Sequence, residues 1–100
     1  MVWFEWDEAK AKTNERKHRV RFDDAILVFA DPYALIEQDR IEGGELRWQT
    51  IGTVEGIVLL MVAHTVREEG TDEIIRIISA RNATRKEYKR YDENREEGSF

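Results

Sequence analysis

Arg76-Ile-Ile-Ser-Ala-Arg81 sets two guanidiniums near the end of an apolar strand, and a basic helix follows almost at once. A guanidinium is a planar, permanently charged fork that matches phosphate oxygens two at a time. Ile74, Ile75, Ile77 and Ile78 suit a buried strand, so the charge at Arg76 requires a polar partner or a function. Thr84 and Glu87 have the spacing of a capping box, which predicts a helix from about Arg85. Two segments are basic: Lys10 to Arg21 carries six cations against Glu15 alone, and Arg81 to Arg90 carries five against Glu87 alone. Brought together, they make a positive field that attracts a polyanion despite the net charge of −5. Lys10, Lys17, Arg85 and Lys86 are the contacts this field offers to a phosphate backbone.

Each residue also has a structural reading. Arg76 can pair with Glu45 or Glu73 across a sheet, and Glu87 is first a capping residue. His64 follows Leu60 and Val62 on an apolar strand face, where a histidine is usually half-buried and satisfied. Lys17-His18 complements the dipole at a helix C-terminus, and Tyr88 and Tyr91 suit core anchors.

Several chemistries lack their residues. No phosphate-binding glycine loop occurs; Gly43-Gly44, Gly52, Gly56 and Gly70 each read as a turn or bulge. Neither His18 nor His64 has a second histidine or a cysteine at ligand spacing, so no metal and no cofactor are expected. With no cysteine there is no disulfide, and no serine sits in a nucleophile elbow. The longest apolar run, Ile57 to Ala63, is too short to cross a bilayer, and the first residues lack a signal-peptide pattern, so the expected location is the cytoplasm.

One hundred residues with 41% apolar content fit a single domain. The expected class is α+β: strand, helix, helix, then a four-stranded, largely antiparallel sheet and a C-terminal helix. Val2 to Trp6 reads as the first strand, and Asp7 caps a helix reaching about His18. Asp23 is expected to cap a core helix bearing Ala25, Ile26 and Phe29, which stops before Asp31-Pro32. Strands follow at 35–38, 46–54, 57–65 and 73–80, with Arg67 to Asp72 as a loop. Strict alternation puts Arg76 with Ile74, Ile78 and Ala80, and Ser79 and Arg81 on the opposite face. If helices cover the Trp48 face, Arg47 and Arg76 share the uncovered one. The domain is expected to span 1–91, with 92–100 an acidic, frayed tail.

The chain resembles the BrnT family of bacterial toxins. The resemblance rests on Phe4-Glu-Trp-Asp7, Lys10, Asn14, Lys17-His18, Val20, Phe22, Phe29 and Asp31-Pro32, then Glu45, Arg47-Trp48, Ile51-Gly52, Arg76-Ile-Ile-Ser-Ala-Arg81, Ala83, Glu87 and Tyr91. Where the family usually has glycine after Lys-His, this chain has Arg19. The resemblance implies a RelE-like fold and a toxin of a type II toxin-antitoxin system. Its activity would be metal-independent endoribonuclease cleavage that inhibits translation. The implied partners are an RNA substrate and a BrnA-like antitoxin with a ribbon-helix-helix domain, which alone contacts DNA. On this reading Arg47, Arg76 and Arg81 clamp the phosphate. Lys17, His18 and Glu45 head the candidate acids and bases, with His64, Glu87 and Tyr91 also chemically able. The alternative is a non-catalytic interaction domain whose basic face docks an acidic partner.

Overall fold

Val2 and Phe4 alternate with Trp3 and Glu5, so the first strand has an apolar side that only a neighbouring strand and a covering layer can bury. The computed structural model describes residues 1–97. It resolves β1 (Val2–Glu5), α1 (Glu8–His18), α2 (Phe22–Ala25) continuing as a 3₁₀ turn (Ile26–Ala30), and β2 (Leu35–Glu42). β3 (Glu45–Val54), β4 (Val58–Glu69), β5 (Asp72–Asn82) and α3 (Arg85–Glu97) complete the order. The α+β class is as expected, but the sheet has five strands, ordered β1-β5-β4-β3-β2. β1 joins in parallel to β5, pairing Phe4 with Ile75, because that is how its apolar side reaches the core.

The sheet is covered on both faces, unequally. On one face α1, α2 and the 3₁₀ turn bury Val20, Phe22, Ala25 and Val28 against Leu60, Val62, Ile75, Ile77 and Ala80. Gly52 permits this layer to approach: a Cβ there would meet the Val28 carbonyl oxygen at 2.9 Å, so this glycine is a mid-strand contact point rather than a turn or bulge. On the other face α3 covers only one end, packing Tyr91 over Ile51, Leu59 and Met61.

Local signals fix most boundaries. Asp7 caps α1, its Oδ1 accepting from the Lys10 amide at 3.1 Å, and Thr84 and Glu87 exchange capping hydrogen bonds at the start of α3. Asp23 does not cap α2: the N-cap is Arg21, without a side-chain bond, because Phe22 must already be helical to enter the core. Arg67 to Glu69 and Asp72 extend the β4–β5 hairpin, leaving only Gly70 and Thr71 to turn. Asp92 to Glu97, expected as a fraying tail, continue α3, helped by an Arg95–Asp92 pair at 3.5 Å and an Asn94 hydrogen bond to the Tyr33 carbonyl at 3.4 Å. Residues 98–100 of the expected tail lie outside the described residues.

Candidate functional site

The β4–β5 ladder pairs Ala63 with Ser79 but His64 with Ile77, so Ile78 is an extra residue. This bulge inverts the alternation that follows. Ala80 falls into the helix-covered core with Ile75 and Ile77. Arg76, Ser79 and Arg81 share the opposite face, paired with Thr65, Ala63 and Met61 of β4. The expected separation of Arg76 from Ser79 and Arg81 is therefore corrected, because core burial of Ala80 overrides strict alternation. Bulges often accompany active sites because they re-aim side chains in this way.

β1 pairs with β5 only as far as Arg76, and α1 lies beside the edge that β1 leaves unpaired beyond it. Asn14 makes that docking possible. Its amide accepts from the Ala80 N–H at 3.1 Å and donates to the Ala80 carbonyl at 2.9 Å and the Val20 carbonyl at 3.0 Å. One side chain thus replaces a neighbouring strand at a buried edge, where unpaired backbone groups are costly. A groove of about 320 Å³ follows, lined by Lys10, Thr13, Lys17 and His18 of α1 and by Ile78 and Ser79 of the bulge.

On the sheet face, Trp48 pairs with His64 and Arg76 with Thr65, so Arg47 and Arg76 flank Thr65 from two sides. Strand spacing puts their Cα atoms roughly 10 Å apart, within reach of two long side chains meeting over one phosphate. Their present partners differ. Arg47 Nη1 pairs with Glu42 at 3.2 Å, while its buried Nε has no acceptor among the described residues. Arg76 makes no side-chain hydrogen bond or ion pair among the described residues, and neither do Lys10, Lys17, His18, Arg85 and Lys86. Glu5 lies beside Arg76 in the ladder, but its carboxylate is taken by Arg67.

The other candidates are already engaged or lie elsewhere. Arg81 holds Glu87 with both arms, and that hydrogen-bonded pair keeps the Glu87 carboxyl below its ordinary range. Arg85 and Lys86 are exposed on the first turn of α3, beyond Arg81. Glu45 is exposed in the β2–β3 hairpin opposite Glu42 and does not line the groove. His64 is on the helix-covered face, 1% exposed, with Nε2 2.7 Å from Thr50 Oγ1 and its ring edge-on to Phe29. Burial pushes its pKa down to about 4. Tyr91 donates to Asp31 at 2.6 Å, and Asp31 also accepts from Thr53 and Tyr33. Burial raises the Tyr91 pKa, and burial alone would raise that of Asp31, but its hydrogen bonds outweigh this and lower it.

Asn14 and Ser79 line the groove; both fall within the residues of the family resemblance, which implies no role at the site for either of them. The physical signal for the structural role of Asn14 is an asparagine in mid-helix, which forfeits helix propensity without an evident local gain.

A family model described as a ribonuclease toxin, BrnT, of type II toxin-antitoxin system matches residues 6–87. The crystal structure of the Brucella abortus ribonuclease toxin BrnT superposes with a TM-score of 0.57 at 24% identity, covering 85% of this chain and 99% of that one, which shows a common fold. No curated protein sequence matches. With 82 of its 100 residues inside the match, the chain belongs to the BrnT family of ribonuclease toxins, whose type II systems pair each toxin with an antitoxin.

Proposed function

We propose that this chain is a metal-independent endoribonuclease that cuts RNA and thereby inhibits translation, held in check by an antitoxin with a ribbon-helix-helix DNA-binding domain. The reading rests on Arg76, which has no partner among the described residues and lies on the same sheet face as Ser79, two residues along β4 from it; Ser79 in turn borders the groove lined by Lys10, Lys17 and His18. The fold compensates most of its other arginines and leaves these cations open.

RNA supplies its own nucleophile, so the protein needs a base, an acid and cations around the phosphorane. The 2′-hydroxyl attacks phosphorus, a base takes its proton, the P–O5′ bond breaks, and an acid protonates the departing oxygen. The products are a 2′,3′-cyclic phosphate and a 5′-hydroxyl. In our reading Arg76 and Arg47 hold the phosphate oxygens, the orphan Arg47 Nε gaining an acceptor. His18 and Lys17 are the favoured proton carriers because they line the groove, as Glu45 does not. Lys10, Arg85 and Lys86 steer the flanking backbone, and Arg81 acts through Glu87 by fastening α3 beside it.

Controlled expression of the chain alone should arrest growth and fragment cellular RNA, and co-expression of the neighbouring reading frame should reverse both. Arrest with intact RNA, or no arrest at all, overturns the reading.

A further inference from the structure

The helix layer ends at Phe29 and leaves the far end of its sheet face uncovered. Val2, Ile36, Ile41 and Val66 are 51, 56, 72 and 37% exposed there, contributed by β1, β2 and β4. Val2, Ile36 and Val66 line a depression of about 360 Å³ there, with Trp48, Ile75 and Phe29 also in its lining and His64 below. A contiguous apolar surface of this kind on a small protein marks a place where another chain binds. It lies on the sheet face opposite Arg76, so it is separate from the cationic groove.

The rim of the depression identifies the occupant. Glu73 lines it and pairs in the ladder with Glu68, and neither has an ion pair among the described residues. Among the described residues the cations without an ion pair lie on α1 and its C-cap, at Arg76 and on α3, away from this face, so a second copy docking by the same face would set Glu68 and Glu73 against their own equivalents.

We infer that this face is the docking site for the antitoxin, which inserts an amphipathic segment whose apolar side chains fill the depression and whose lysines or arginines meet Glu68 and Glu73. The inference rests on the toxin reading above and specifies where its partner binds. Apolar anchors in a desolvated pocket give most of the affinity of such a contact, and the charged rim orients it.

The test uses the full chain and the purified product of the neighbouring reading frame, with RNA cleavage and binding measured in parallel. Ile36→Glu combined with Val66→Glu alters exposed positions and should weaken binding by roughly a hundredfold while RNA cleavage persists, giving a toxin that its partner no longer rescues. Glu68→Lys with Glu73→Lys should weaken it by roughly tenfold at low salt. Unchanged partner binding in both double variants overturns the site. So does a parental chain whose self-association, rather than partner binding, is abolished by Ile36→Glu and Val66→Glu. A parental chain that neither cleaves RNA nor binds the product overturns the toxin reading as well, which separates the two failures.

Discussion

Arg81 and Glu87 form a two-armed ion pair, Nη1 to Oε1 at 2.8 Å and Nη2 to Oε2 at 3.0 Å, which joins the end of β5 to the first turn of α3. Glu87 Oε1 also accepts from the Thr84 amide at 2.9 Å, so one carboxylate caps the helix and holds the strand. Arg81 is thereby neutralised in place, whereas Arg76 on the same face is not.

Glu87→Ala removes both the cap and the pair, and leaves a half-buried guanidinium without its anion. The expected loss is about 2 kcal/mol of unfolding free energy. Urea titration measures it. A loss below about 0.5 kcal/mol contradicts the assigned role.

Arg19 ends α1 in the left-handed region at φ 60°, a conformation that glycine adopts without strain. Arg19→Gly should therefore stabilise the protein by about 1 kcal/mol, the relief of the left-handed penalty less the added freedom of the unfolded chain. Thermal unfolding should show a higher Tm. A lower Tm means that the arginine side chain contributes more than its backbone costs.

The elements were legible because caps, glycine turns and apolar runs are local signals: Asp7, the Thr84–Glu87 box and Gly70 each mark a boundary. What was not legible depends on distant partners. Nothing within β5 announces the extra residue at Ile78, since its cause is the burial of Ala80 beneath the helix layer. Asn14 finds Ala80 at a separation of 66 residues, and the choice of Arg67 over Arg76 as partner for Glu5 is made across the sheet. Arg76 and Arg81 could be named from their place at the end of an apolar strand, and Arg47 from the family resemblance. Which of them is free to meet a phosphate depends on pairing that only the fold decides.

His64 carries the pH dependence of stability. Its folded pKa of about 4 lies below the ordinary 6.5 because burial disfavours the imidazolium. Between these values the unfolded chain holds a proton that the folded chain does not. Stability is therefore complete above pH 6.5 and falls by about 1.4 kcal/mol per unit as the pH drops toward 4. Asp31 and Glu87, whose pKa values are lowered from 3.8 and 4.5, add their own loss mainly below that window. Urea unfolding at pH 7, 6 and 5 should show this slope in the parental chain and a flatter one in His64→Gln. Equal slopes in the two proteins exclude His64 as the source.

The most direct measurement is the rate of RNA cleavage by purified Arg76→Ala in the presence of a chelator, beside the parental chain. Arg76 is exposed and unpaired among the described residues, so its removal should leave stability within about 0.5 kcal/mol and antitoxin binding intact. Loss of a cation that stabilises the transition state should slow cleavage by about a hundredfold or more, roughly 3 kcal/mol. The expected result is a folded, partner-binding, inactive variant and a parental activity indifferent to the chelator. Cleavage at the parental rate by a variant that melts earlier would contradict it, making Arg76 a structural residue and leaving the phosphate site without its principal cation.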